Sequence, residues 1–154
     1  MSDLKLSLHN DLTTAIRARD QLATGTLRMV LAAITNEEVS GKVARELSDL
    51  EVITVLNREA KKRKEAATAF DDAQRSELAD RERAELEVIA KYLPEELSAE
   101  ALADIISGAV AQVAAAGQVG PSAMGAVMKI VSPQVTGRAD GASVAAAVKA
   151  ALAG

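Results

Sequence analysis

Apolar residues recur along the chain at intervals of three and four, the spacing that lines one face of a helix. Leu4, Leu8, Leu12, Ala15 and Ile16 form the first stripe and predict an amphipathic helix from about Asp3 to Arg19. Asp20 suits the cap of a second helix, with Leu27, Val30, Leu31 and Ile34 on one face. Ser40-Gly41 closes it, Gly41 being the residue type suited to a left-handed end. The third helix has the clearest start. Ser48-Asp49-Leu50-Glu51 reads as a capping box, and Leu47 with Val52 as the apolar staple around it. Its stripe runs through Val52, Ile53, Leu56, Ala60, Ala67 and Phe70. A fourth helix, from about Arg75 to Tyr92, carries Leu78, Ala79, Leu86, Ile89 and Leu93 and stops at Pro94.

Beyond Pro94 the pattern restarts. Ser98 is the expected cap of a helix bearing Leu102, Ile105, Ile106, Ala109 and Val113, with Leu97 stapled onto Leu102 and Gly117 as its end. Gly120-Pro121-Ser122 begins the next, striped by Met124, Val127, Met128 and Val131; Pro133 is expected to kink or break it. A last short helix carries Val144, Val148 and Leu152. The expected fold is all-α: an antiparallel amino-terminal domain of about four helices over 1–94, then a three-helix tail bundle over 95–154. A bundle of roughly 60 residues is marginal alone, so docking or a partner is expected to help it.

Composition supports the helical reading. Phe70 and Tyr92 are the only aromatic residues, and the apolar half of the chain is mostly Ala, Leu and Val. There is no cysteine, which excludes disulfides, thiolate nucleophiles and cysteine-held metals. The start, MSDLKLSLHND, has no signal-peptide pattern, and no apolar run reaches the ~20 residues of a membrane span. A cytoplasmic protein without membrane contact is expected. Charge divides the chain where the helical pattern does. Residues 1–97 hold 15 Lys/Arg against 19 Asp/Glu, whereas residues 98–154 hold three of each. A net charge of −4 argues against a protein that coats nucleic acid non-specifically, but leaves room for a local basic patch; no DNA partner is expected.

Chemistry-bearing groups are sparse. His9 is the only histidine, on the polar side of the first helix, and no metal or cofactor motif is present. Neither a catalytic residue nor a cofactor or metal is expected. One polar constellation stands out. Glu59 and Arg63 fall within about 20° of Phe70 on the apolar face of the third helix, and Glu82 about 40° from Leu86 on the fourth. Charge in an apolar stripe is costly unless paired, so a partly buried Glu59–Arg63 pair is expected, with Glu82 as a further member. Its first reading is a salt bridge that sets helix register; the alternative is a ligand site. The basic run NREAKKRKEA, 57–66, reads first as a solvated face and second as a phosphate contact. In the tail, TGRADGAS is an elbow in which Gly137 suits a left-handed position and Asp140 a helix cap; Arg138 is left without a task.

Four stretches, LRMVLAAITNEEV, LSDLEVITVLNREAKKRKEAATAF, ELADRERAELEVIAKYLPEELS and MGAVMKIVSPQVTGRADGASV, together resemble the GatB/YqeY family, specifically its free-standing YqeY-like proteins. The likeness covers almost the whole chain in family order. It implies a two-part, all-helical protein whose tail is similar to that of GatB, a subunit of the glutamine-dependent amidotransferase that amidates mischarged tRNA. Met124, Gly125, Val127, Met128 and Lys129 match the family's MG-VMK pattern, and Gly137, Arg138 and Ala139 its glycine–basic–alanine turn, followed by Asp140 and Gly141.

In GatB the tail helps recognise the tRNA body, while the chemistry belongs to other domains and subunits. The resemblance therefore implies a tRNA-binding or tRNA-amidotransferase-associated accessory protein. The family is linked to carbon–nitrogen ligase activity, but no catalytic machinery is visible in this chain, and it is not expected to be an enzyme on its own. The expected RNA contacts are Lys129, Gly137, Arg138 and Lys149. Three cations imply weak binding with a shallow salt slope. The alternative is an adaptor docking a translation-linked protein, with no direct RNA contact.

Overall fold

The computed structural model describes residues 1–154, which form seven α-helices and no strand. They part into two compact units, Met1–Leu93 and Pro94–Gly154.

In the first unit the helices are α1 (Asp3–Arg17), α2 (Gln21–Glu38), α3 (Asp49–Asp72) and α4 (Ser76–Ala90). Consecutive helices run antiparallel, as cross-helix pairs show: Lys5 at the start of α1 bonds Glu38 at the end of α2, and Asp71 near the end of α3 bonds Arg83 in α4. Local chemistry starts each element. Ser2, Asp20 and Ser48 each accept a backbone N–H from the first turn of the helix they precede. At Ser48 the capping box is complete, with Glu51 returning to the Ser48 N–H at 2.9 Å. Leu47 and Val52 are both buried beside it. The core is a layer of Leu8, Leu27, Val30, Ile34, Val52, Leu56 and Ile89.

Helix ends depart from the sequence reading. Gly41 is not a left-handed cap: α2 stops at Glu38, Val39 caps it with φ −103°, and Gly41 is absent from the positive-φ residues. Two left-handed ends are instead carried by residues with side chains, Arg19 (φ 56°) and Gln74 (φ 58°). Both close Schellman motifs. Arg19 N–H donates to Ile16 and Asp20 N–H to Ala15; Gln74 N–H donates to Asp71 and Arg75 N–H to Phe70. A left-handed conformation costs an L-residue roughly 1–2 kcal/mol that glycine does not incur, so Arg19→Gly and Gln74→Gly are each expected to stabilise the protein by about 1 kcal/mol. Urea unfolding midpoints of the two variants check this; a fall in either midpoint contradicts it.

The second unit holds α5 (Ala99–Ala115), a 3₁₀ turn at Pro121–Ala123, α6 (Met124–Val135) and α7 (Gly141–Ala153). Ser98 caps α5 through the Ala101 N–H, and Gly117 (φ 93°) ends it. Pro133 does not break α6. The helix continues to Val135, the Thr136 N–H reaches Ser132 at 3.0 Å, and the Gln134 side chain donates to the Ile130 carbonyl at 3.0 Å. The core contains no side chain larger than isoleucine: Ile106, Ala109, Val113, Ala123, Val127, Val131, Val135, Val144 and Val148.

Candidate functional site

The tail's three cations sit on its outside. Val127, Val131 and Val135 run down the buried face of α6; Lys129 lies two residues from Val127, about 160° round the helix by the usual angular step, and is exposed. Lys149 is exposed next to the fully buried Val148 of α7. Arg138 is exposed in the elbow between those helices.

That elbow is a type II turn. Thr136 has φ −56° and ψ 125°, Gly137 has φ 78°, and the Arg138 N–H closes the turn on the Val135 carbonyl at 2.8 Å. The third position of such a turn needs positive φ, which explains Gly137. Asp140 caps α7, accepting from the Ser143 N–H at 3.1 Å and the Ser143 hydroxyl at 3.0 Å. Ala139 is half-buried against the tail core. Arg138 has an intramolecular partner after all: its Nε donates to the Glu95 carbonyl at 3.3 Å, and its own carbonyl accepts the Leu97 N–H at 2.9 Å. Nothing in the sequence pointed to this contact, because its ends are 43 residues apart.

The MG-VMK segment divides between core and surface. Val127 is fully buried, and Met124 and Met128 pack half-buried against it. Gly125 and Lys129 are exposed one turn apart. A Cβ placed on Gly125 would meet nothing within 4 Å, and the same is true of Gly141 at the start of α7. Packing within the chain thus gives no reason for glycine at 125.

The polar constellation of the first unit is a chain of five charges across α3 and α4. Arg63 is at its centre: Nη1 donates to Glu59 Oε2 at 3.1 Å and to the Glu59 carbonyl at 2.9 Å, and Nε donates to Glu85 Oε2 at 3.2 Å. Lys62 covers Glu59 from outside at 2.8 Å, and Arg81 approaches Glu85 at 3.8 Å. The three inner side chains are nearly buried, at 7% exposure for Arg63, 12% for Glu59 and 11% for Glu85. Met29 of α2 touches Arg63 Nη2 through its sulfur at 3.9 Å.

Glu85, not Glu82, is therefore the third member. The buried line of α4 passes through Ile89 and Glu85, one turn apart, whereas Leu86 and Glu82 are only half-buried beside it. A stripe centred on Leu86 put the wrong glutamate inward. Each inner carboxylate already meets two cations, so the cluster supports register between α3 and α4 better than it supports a ligand.

Burial alone would raise the Glu59 carboxyl, but hydrogen bonds and charge from Lys62 and Arg63 outweigh it and hold the group below its ordinary 4.5. Glu51 is also lowered, by the Ser48 N–H and Arg45, and Glu46 by the amino terminus. A depressed carboxylate contributes stability that is present above its unfolded pKa and lost as pH falls through its folded one. Stability is accordingly expected to fall from about pH 5 towards pH 3, and Glu59→Gln to flatten that fall. Urea midpoints across this range check it; an unchanged slope in Glu59→Gln contradicts it.

Two sets of comparisons bear on this geometry. The sequence model of the Yqey-like protein family matches residues 5–152, which includes both units. The chain belongs to the YqeY-like protein family. Among curated relatives, the chain is 30% identical over 96 residues to a Schizosaccharomyces pombe protein described as "Uncharacterized protein C22F3.15", covering 62% of this chain and 76% of the relative. It is 34% identical over 87 residues to "Altered inheritance of mitochondria protein 41, mitochondrial" of Clavispora lusitaniae, covering 56% of this chain and 49% of that one. The protein of the same name from Lachancea thermotolerans is 31% identical over 91 residues, covering 59% and 48%. This chain thus spans about half the length of the two mitochondrial relatives.

Elsewhere in this YqeY-like chain the chemistry is plain. His9 is exposed on α1, no cluster of three or more His, Asp or Glu side chains could hold a metal, and no helix is long and apolar enough to cross a membrane. Within the basic run, Arg58 pairs with Glu37 of α2 at 3.0 Å and Lys62 with Glu59. These two cations are partly neutralised by the chain's own carboxylates, which makes the run a poorer phosphate site than its sequence suggests.

Proposed function

We propose that this YqeY-like protein is a tRNA-binding accessory protein of the cytoplasm, associated with tRNA amidation, and that the tail makes the contact. The observation that carries the reading is the division of the tail motif. Its apolar members pack into the core, while Gly125, Lys129 and Arg138 stand on the surface, as does Lys149 of α7, and packing gives no reason for glycine at 125. Lys and Arg recognise the sugar–phosphate backbone without aromatic stacking, and A-form RNA is read largely through shape and such contacts. The likeness of the tail to that of GatB supports the choice of tRNA. The chain would act by binding, with catalysis left to the enzyme it accompanies.

The second reading, an adaptor for a translation-linked protein, is favoured by the acidic balance of residues 1–97 and by a tail with only three cations. Capture of the tagged full chain from its own cells, with and without ribonuclease, separates the two. Recovery of tRNA, and loss of associated proteins after nuclease, is expected. Protein partners that persist unchanged after nuclease, with no tRNA recovered, would replace the first reading by the second.

A further inference from the structure

The elbow between α6 and α7 is tied twice to the segment by which the chain enters the tail. Both ties use Arg138. Its carbonyl takes the Leu97 N–H at 2.9 Å, and its side-chain Nε reaches back to the Glu95 carbonyl at 3.3 Å. The two differ in kind. The first is a backbone bond next to Leu97, whose side chain packs against the tail core and whose neighbour Ser98 caps α5. The second joins two exposed residues, is long for an N–H···O bond, and gives a cation a neutral acceptor.

A phosphate is a stronger partner for that guanidinium than a carbonyl. A phosphate brings an opposite charge that the neutral carbonyl lacks, and the planar fork of arginine matches two phosphate oxygens at once. A phosphate that pairs side-on, with Nε and one Nη of Arg138, displaces the Glu95 carbonyl from Nε. We propose that Arg138 is an anion-released clasp: unliganded, it holds residues 95–97 on the elbow, and a nucleic-acid phosphate that captures it frees them. The coupling is reciprocal, so holding the segment down weakens phosphate binding, and releasing it strengthens it. Choosing a tRNA phosphate as the anion rests on the function proposed above; the clasp itself does not.

Amide hydrogen exchange of the full chain, read at Leu97 by NMR, tests both halves. Without RNA, Arg138→Ala is expected to raise Leu97 exchange on the order of fivefold, the loss of one modest hydrogen bond. The Val144 amide, which bonds Asp140 in the first turn of α7, serves as the control and is expected to stay unchanged. Adding total tRNA at low salt is expected to raise Leu97 exchange in the wild type and to leave it unaltered in Arg138→Ala. Equal exchange of wild type and Arg138→Ala without RNA overturns the clasp, whatever tRNA does. Unchanged or stronger Leu97 protection in tRNA-bound wild type overturns the release step. If tRNA does not bind, the release step falls with the functional reading, while the RNA-free comparison still decides the clasp.

Discussion

Arg63→Ala is expected to cost the Met1–Leu93 unit about 3–5 kcal/mol, the usual effect of removing one partner from a buried ion cluster. Arg63 is the cation between Glu59 and Glu85, and its removal leaves two nearly buried carboxylates facing each other across α3 and α4. Lys62 and Arg81 cannot replace it. Their side chains are 70% and 75% exposed, so they approach the carboxylates from the solvent side. The loss is a penalty for unpaired charge, not a measure of what the cluster contributes. Replacing all three inner residues by apolar ones of similar size, Glu59→Leu, Arg63→Met and Glu85→Leu together, is expected to be neutral or stabilising by about 1–4 kcal/mol. Urea unfolding of the single and triple variants makes the comparison. A triple variant as unstable as Arg63→Ala would mean that the cluster does more than hold register.

Val127→Asp is expected to abolish the cooperative unfolding of the tail. Val127 is 0% exposed and lies between Ala123 and Val131 on the buried face of α6. A carboxylate there enters a core of valine, alanine and isoleucine, with Met124 and Met128 half-buried against it. Burying it costs several kcal/mol, and a unit of roughly 60 residues has only a few to lose. Loss of dispersed amide signals from Pro94–Gly154 would show this; a tail that keeps its native spectrum contradicts the assignment of the motif's apolar members to the core. Lys129→Ala, two residues away on the outer face, is expected to leave the spectrum intact. The contrast separates the part of the motif that folds the tail from the part available to a partner.

What could be read in advance was local. The capping box at Ser48 and Glu51 and the caps at Asp20, Ser98 and Asp140 depend on residues within one turn, and each stands in the structure as expected. The apolar stripes hold for most members, but Ile16 and Leu78 are exposed. Errors arose where a distant partner or an unfavourable local choice decides. Gly117 ends α5 with positive φ as its residue type suggests, but Gly41 does not end α2 that way; the left-handed ends of the first unit fall to Arg19 and Gln74, where the Schellman bonds oblige side-chain-bearing residues to accept it. Glu85 could not be told from Glu82 by angle alone. The choice depends on where Arg63 of α3 lies, and no periodicity within α4 encodes that. No task for Arg138 is legible in the turn itself, because the Glu95 carbonyl it meets is far away in sequence.

The most direct test of the tail as an RNA contact is the binding of purified full-length protein to total tRNA across a salt series. With three cations facing phosphates, log K is expected to fall against log salt with a slope of roughly −2 to −3, and Arg138→Ala to weaken binding and make the slope shallower by about 1. Binding that is absent or insensitive to salt, or identical in the wild type and Arg138→Ala, would contradict the account.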